Sequence, residues 1–144
     1  MSTSVRSLDS TIQTTMEWLN IVQEELKWPD EERVYDATKA VLQALRDRLP
    51  IEEAHEFAAQ LPMLMKGIYF DGYDPTDKPL KIRSREEFLE RVRKNFGNQP
   101  LDAEKATKAV LRMLYKKLSG GELEDIKGNM PNDIKGLFTA AKKS

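Results

Sequence analysis

Apolar residues recur along this chain at three- and four-residue spacings, the period of a helix with one buried face. Met16, Leu19, Val22 and Leu26 form the first stripe. Trp28-Pro29 ends it, because the residue before a proline is pushed out of the helical region. Asp30 is placed to cap a second helix, whose Val34, Thr38, Val41, Leu42, Leu45 and Leu49 share one face. Pro50 suits the first turn of a third helix running to Ala59, and Pro62 opens a short fourth ending near Phe70. Sustained period-two alternation occurs nowhere, so the pattern predicts no strands.

The pattern then comes a second time. Residues 37–42 and 106–111 both read Ala-Thr-Lys-Ala-Val-Leu, an offset of 69. At that offset Leu45 meets Leu114, Leu49 meets Leu118, Pro62 meets Pro131 and Lys66-Gly67 meets Lys135-Gly136. Glu17-Trp18-Leu19 matches Glu87-Phe88-Leu89 at an offset of 70. Ser84 with Glu87, and Ser119 with Glu122, have the spacing of capping boxes, and Gly97 suits a helix end. A glycine inside both copies of the last helix suggests a backbone reason, a left-handed end or a close approach.

These observations predict an all-α fold of two tandem helical-bundle repeats, about four short helices each, packed together. The boundaries are a flexible leader at 1–14, repeat one at 15–70, a turn-rich linker at 71–83 and repeat two at 84–140. Residues 1–8 and 142–144 are expected to be loose ends. Leu42, Leu45, Leu49, Leu111, Leu114 and Leu118 are the expected core.

The two copies differ most in the last helix of each. Met63 and Leu64 in the first stand opposite Asn132 and Asp133 in the second. Segment 61–70 is apolar nearly all round, so it hides against the other repeat or shows a face to a partner. The seam is the expected role, with Met63 and Leu64 facing it. The alternative is a candidate interaction surface of Trp28, Met63, Leu64, Lys66, Tyr69 and Tyr73.

Composition narrows the chemistry. With 144 residues, 40% hydrophobic and 33% charged, the chain is globular, one domain or two halves on one core. It has no cysteine, which removes thiolate metal sites, disulfides and cysteine nucleophiles. His55 is the one histidine. Glu52-x-x-His55 has the spacing of a di-iron helix motif, but that site needs a second such pair. His55-Glu56 begins like a zinc-protease motif, yet Ala59 stands where the second histidine belongs. Asp71, Asp74 and Asp77 are spaced by three, wrong for a calcium loop, and read as turn formers. No cofactor, metal or catalytic residue is expected.

The net charge of −1 hides a split. Residues 15–74 carry 6 Lys/Arg against 13 Asp/Glu, net −7; residues 75–144 carry 16 against 10, net +6. Mutual attraction of the halves explains this, with a basic surface for an anionic partner as the alternative. Arg91, Arg93 and Lys94 are the candidate anion-binding residues, and Lys105, Lys108, Arg112, Lys116 and Lys117 make a second basic face. Interleaved acids argue against tight nucleic-acid binding. The polar N-terminus lacks a signal peptide's apolar stretch, and no window approaches the roughly 18 apolar residues of a membrane span. The expected location is cytoplasmic, with no membrane contact.

Several segments carry a family likeness. Leu45-Arg-Asp-Arg-Leu-Pro50, Glu52-Glu-Ala-His55, Ala59-Gln-Leu-Pro-Met-Leu-Met-Lys-Gly-Ile-Tyr69 and Gly72-Tyr-Asp-Pro75 resemble a bacterial family of tandem helical repeats, known only as a domain of unknown function, family 2267. Lys66 stands where the likeness leads one to expect arginine, and Tyr73 where it leads one to expect tryptophan. The resemblance implies an all-helical, soluble bacterial protein and attaches no activity. The expected function is a non-enzymatic protein-interaction or adaptor module, its partner another protein, with weak self-association in reach. A weak nucleic-acid or anionic-polymer binder is the second reading, and an enzyme with an unrecognised carboxylate or serine site the third.

Overall fold

The computed structural model describes residues 3–143, and every regular element among them is an α-helix. In chain order these are α1 (Arg6–Leu26), α2 (Glu31–Arg48), α3 (Ile51–Ala58), α4 (Met63–Phe70), α5 (Arg85–Phe96), α6 (Ala103–Lys117), α7 (Gly120–Gly128) and α8 (Asn132–Lys142).

Local chemistry sets most of the ends. Asp30 accepts the N–H groups of Glu32 and Arg33 at 3.0 and 3.4 Å, satisfying donors that the first turn of α2 leaves free. Ser84 and Glu87 form the expected reciprocal box, and Asp102 caps α6 through the Lys105 N–H at 3.1 Å. Pro50, Pro62 and Pro131 sit at N-caps, where the missing N–H removes no helix bond. The second expected box does not form: Ser119 makes no side-chain cap, and Glu122 instead lines the seam between α3 and α7. Gly97 ends α5 at φ 112° and ψ −150°, a conformation open to glycine.

Alanines put α2 and α6 at the centre, because small side chains let neighbouring helices come close. Ala37, Ala40 and Ala44 of α2 and Ala103, Ala106 and Ala109 of α6 are all buried. At the offset of 69, Thr38 and Thr107, Val41 and Val110, Leu42 and Leu111, and Leu45 and Leu114 are buried in matching pairs. Leu49 is also buried, while Leu118 is only half-buried at the edge of the core.

Helix packing has an exchange pattern. α1 packs on α6 as α5 does on α2; α1 packs on α2 as α5 does on α6. The pairs α2–α4 and α6–α8 correspond likewise, as do α1–α4 and α5–α8, while α2–α6 and α3–α7 map onto themselves. Ion pairs Arg91–Asp47, Arg112–Glu25 and Lys116–Glu25 cross between the first four helices and the last four.

Three expectations are corrected. The leader expected to be flexible through residue 14 is helical from Arg6, and α1 buries the face of Thr15, Trp18, Val22 and Leu26 while Leu8 stays exposed. That face also replaces the expected one: Thr15 and Trp18 are buried, while Met16 is 38% exposed. The expected backbone reason for the paired glycines is found at neither site, the one neighbour being the movable end of a side chain. A side chain at Gly136 would meet the Arg85 guanidinium at 2.7 Å, whereas Gly67 faces open space. Of the ends expected to be loose, Met1, Ser2 and Ser144 lie outside the described residues.

Leu45→Ala and Leu114→Ala should each cost about 2–5 kcal/mol in chemical denaturation, and by similar amounts, since their burial is equivalent. Met63→Ala should stay within about 0.5 kcal/mol of the native chain.

Candidate functional site

Two surfaces stand out, and one buried charge cluster lies between the elements that make them. The first surface is an apolar corner. Met63 and Leu64 open α4 at 67% and 42% exposure, and Val5 and Leu8 at the start of α1 are 49% and 48% exposed. The Leu64 N–H donates to Thr11 Oγ1 at 3.0 Å, which fixes the α4 start against α1. A groove of about 600 Å³ opens there, walled by Ser7, Ser10 and Thr14 on one side and Pro62 and Met63 on the other, with Trp18 among its lining residues. Arg6 is its one charged lining residue.

The buried cluster is built on adjacent residues at the end of α2. The Arg46 guanidinium holds Asp47 in a fork, Nε to Oδ1 at 2.8 Å and Nη2 to Oδ2 at 3.0 Å. Its Nη1 donates to the carbonyls of Tyr69 and Asp71 at 2.9 and 3.1 Å. Gln43 donates to the carbonyls of Ile68 and Asp71, so α2 side chains satisfy the acceptors that α4 leaves free at its C-terminus. Arg91 of α5 reaches the same Asp47 at 3.1 Å. Both Arg46 and Asp47 are buried, and a buried charge is tolerated only when paired and hydrogen-bonded in this way.

Beyond α4 the chain returns as a strap along α5. The Leu80 N–H donates to the Asp47 carbonyl at 2.8 Å, and Arg48 Nε donates to the Ile82 carbonyl at 2.7 Å. Burial, and after it repulsion from Arg83, hold the Arg48 guanidinium below its ordinary pKa. Strap and α5 enclose a groove of about 670 Å³ with Leu80 and Ile82 among its lining residues and Lys81, Arg91, Arg93 and Lys94 around them. Arg93 pairs with Glu90 at 3.1 Å.

The structure therefore gathers Arg91, Arg93 and Lys94 along one groove, joined by Lys81. It separates the six residues of the candidate interaction surface. Tyr69 is fully buried, its hydroxyl donating to the Ala54 carbonyl at 2.9 Å, so it offers no surface. Trp28 lies past the far end of α1 under Arg33, 4.4 Å from its ring. Tyr73 is half-buried, its ring under Arg46 and beside Phe70. Lys66 is half-buried on α4. Only Met63 and Leu64 share one exposed corner. They do not face the seam, since α4 packs on α1 and α2 through Met65 and Tyr69. The second basic face is largely engaged: Lys108 pairs with Glu104, and Arg112 and Lys116 with Glu25. His55 is exposed, with Nδ1 2.8 Å from the Ile51 carbonyl. Asp74 accepts the Thr76 N–H at 2.9 Å, as a turn former does. No helix among the described residues is long and apolar enough to cross a membrane.

Residues 15–137 match a family model described as "Uncharacterized conserved protein (DUF2267)", and the chain belongs to that family. No curated protein matches the chain.

The tyrosines give a pH signature. Burial, and then the Glu124 carboxylate, push Tyr115 up to about 12, and burial pushes Tyr69 further up. The fold thus favours the neutral phenols. Their contribution is fully present below about 10, the free tyrosine value, and is lost as the pH rises toward 12. Tyr115→Phe should flatten the alkaline loss of stability between those two pH values, read from thermal midpoints.

Proposed function

We propose that this protein is a non-enzymatic protein-interaction module that docks the apolar face of a partner helix on the corner between α1 and α4. The observation that carries this reading is the exposure of Met63 and Leu64 at the start of α4, where Met63 lines the groove and Leu64 is tied to Thr11 of α1. Burying a single such side chain contributes about 1.5–3 kcal/mol, so the two together leave an appreciable free energy for association. The groove carries one charge, Arg6, and is otherwise lined by hydroxyl and amide side chains together with Trp18, Leu61, Pro62 and Met63, so an uncharged helix face suits it better than a charged segment. Methionine at the rim adapts to irregular surfaces.

The reading of the chain as two copies of one four-helix unit belongs with this proposal. It is supported by the shared hexamer and by the exchange pattern of the packed pairs. The corner sits where the copies differ. At the offset of 70, residues 6–14 of α1 have no helical counterpart before α5, and Asn132 and Asp133 replace Met63 and Leu64.

A photo-crosslinking residue at position 63, expressed in the native cell, should yield one discrete heterologous adduct. The same residue at Asp125, on the α3–α7 side, should not. Leu8→Asp with Leu64→Asp should abolish the adduct and leave the thermal midpoint in place. No adduct above the Asp125 control, or an adduct made only of this chain, would overturn the reading; the latter would make the corner a face for self-association.

A further inference from the structure

The groove between the strap and α5 shares no lining residue with the apolar corner. Of its four lining cations, Arg91 and Arg93 are held by Asp47 and Glu90, while Lys81 and Lys94 are free. Among the described residues Lys81, Arg83 and Lys94 pair with no carboxylate. The two acids lining the groove are already engaged. Glu87 accepts the N–H groups of Arg83 and Ser84 at 3.3 and 3.2 Å, and Glu90 holds Arg93. Leu80 and Ile82 turn inward while Lys81 and Arg83 are exposed, and the Ile82 N–H donates to the Leu80 carbonyl at 2.8 Å, a tight turn centred on Lys81. The backbone N–H and C=O of Lys81 carry no partner among the described residues, so the strap offers a neighbouring chain one free pair of main-chain groups.

From this geometry we infer that the groove receives an extended acidic segment of a partner protein, in which carboxylate and apolar side chains alternate. The apolar side chains lie on half-buried Leu80, and the carboxylates meet Lys81 and Lys94. Glu87 to Gly97 spans about 15 Å at about 1.5 Å per residue, which an extended chain covers in four or five residues at about 3.4 Å each. A nucleic acid fits less well. No aromatic ring lines the groove to stack a base.

The test is fluorescence anisotropy on the full chain with a labelled peptide of about eight alternating glutamate and leucine residues, long enough to overhang both ends. Matched probes are a glutamate–serine peptide, a glutamine–leucine peptide and an oligothymidylate of similar length. The glutamate–leucine peptide should bind best and weaken as salt rises. Lys81→Glu with Lys94→Glu, both at exposed positions, should weaken it by about tenfold or more at an unchanged thermal midpoint. Met63→Asp with Leu64→Asp should leave it unaffected, so failure here and failure at the corner are told apart. Equal binding of the serine or the glutamine peptide, tighter binding of the oligothymidylate, or no saturable binding of the glutamate–leucine peptide would each overturn the assignment.

Discussion

Asp47 is one carboxylate holding two guanidiniums, and much of the molecule's arrangement depends on it. Arg46 binds it from the same helix and Arg91 from α5. Arg46 in turn closes the end of α4, and the backbone of Asp47 anchors the strap at Leu80. The end of α4, the path of the strap and the approach of α5 to α2 thus share one buried point. Removing the carboxylate would leave two cations facing each other with little solvent, a loss of about 3–5 kcal/mol for a buried pair stripped of one partner. The second half has nothing similar. Tyr115 and Lys116 occupy the places of Arg46 and Asp47, so no arginine fork on a carboxylate forms there.

Both candidate surfaces arise where the halves stop matching. The early turns of α1 extend past anything before α5, and with the α4 start they make the apolar corner. At the offset of 70 the strap stands opposite residues that are helical in α1, and with α5 it makes the basic groove. Around the centre, where α2 meets α6, the halves keep matched burial from Ala37 and Ala106 through Leu45 and Leu114. A shared core with divergent edges lets new surfaces form without disturbing the packing that holds the fold.

The helix register was legible in the sequence because burial follows period, and period is local. The hexamer gave the buried face of α2 and α6, and Asp30 and Ser84 gave two starts. Segment 61–70 was misassigned to the seam because an all-round apolar helix does not reveal which side is covered. Met65 and Tyr69 are the covered side, and Met63 and Leu64 the open one. The first turns of α1 were hidden by serines and threonines that interrupt the stripe. Arg46-Asp47 reads in sequence as an ordinary solvated pair, since only the fold brings Arg91 and the α4 carbonyls to it. The basic groove was half legible: Arg91, Arg93 and Lys94 were named, but the strap that lies against them is set by the hydrogen bond to Asp47.

A double-mutant cycle between Asp47→Asn and Arg91→Gln, followed by chemical denaturation, tests most directly whether this carboxylate joins the two halves. Their shared hydrogen bond lies in a partly enclosed setting, and contacting charged residues couple by about 0.5–3 kcal/mol. A coupling energy of about 1 kcal/mol or more is the predicted result. Additivity within about 0.5 kcal/mol would contradict it, and would mean that this carboxylate does not join the halves.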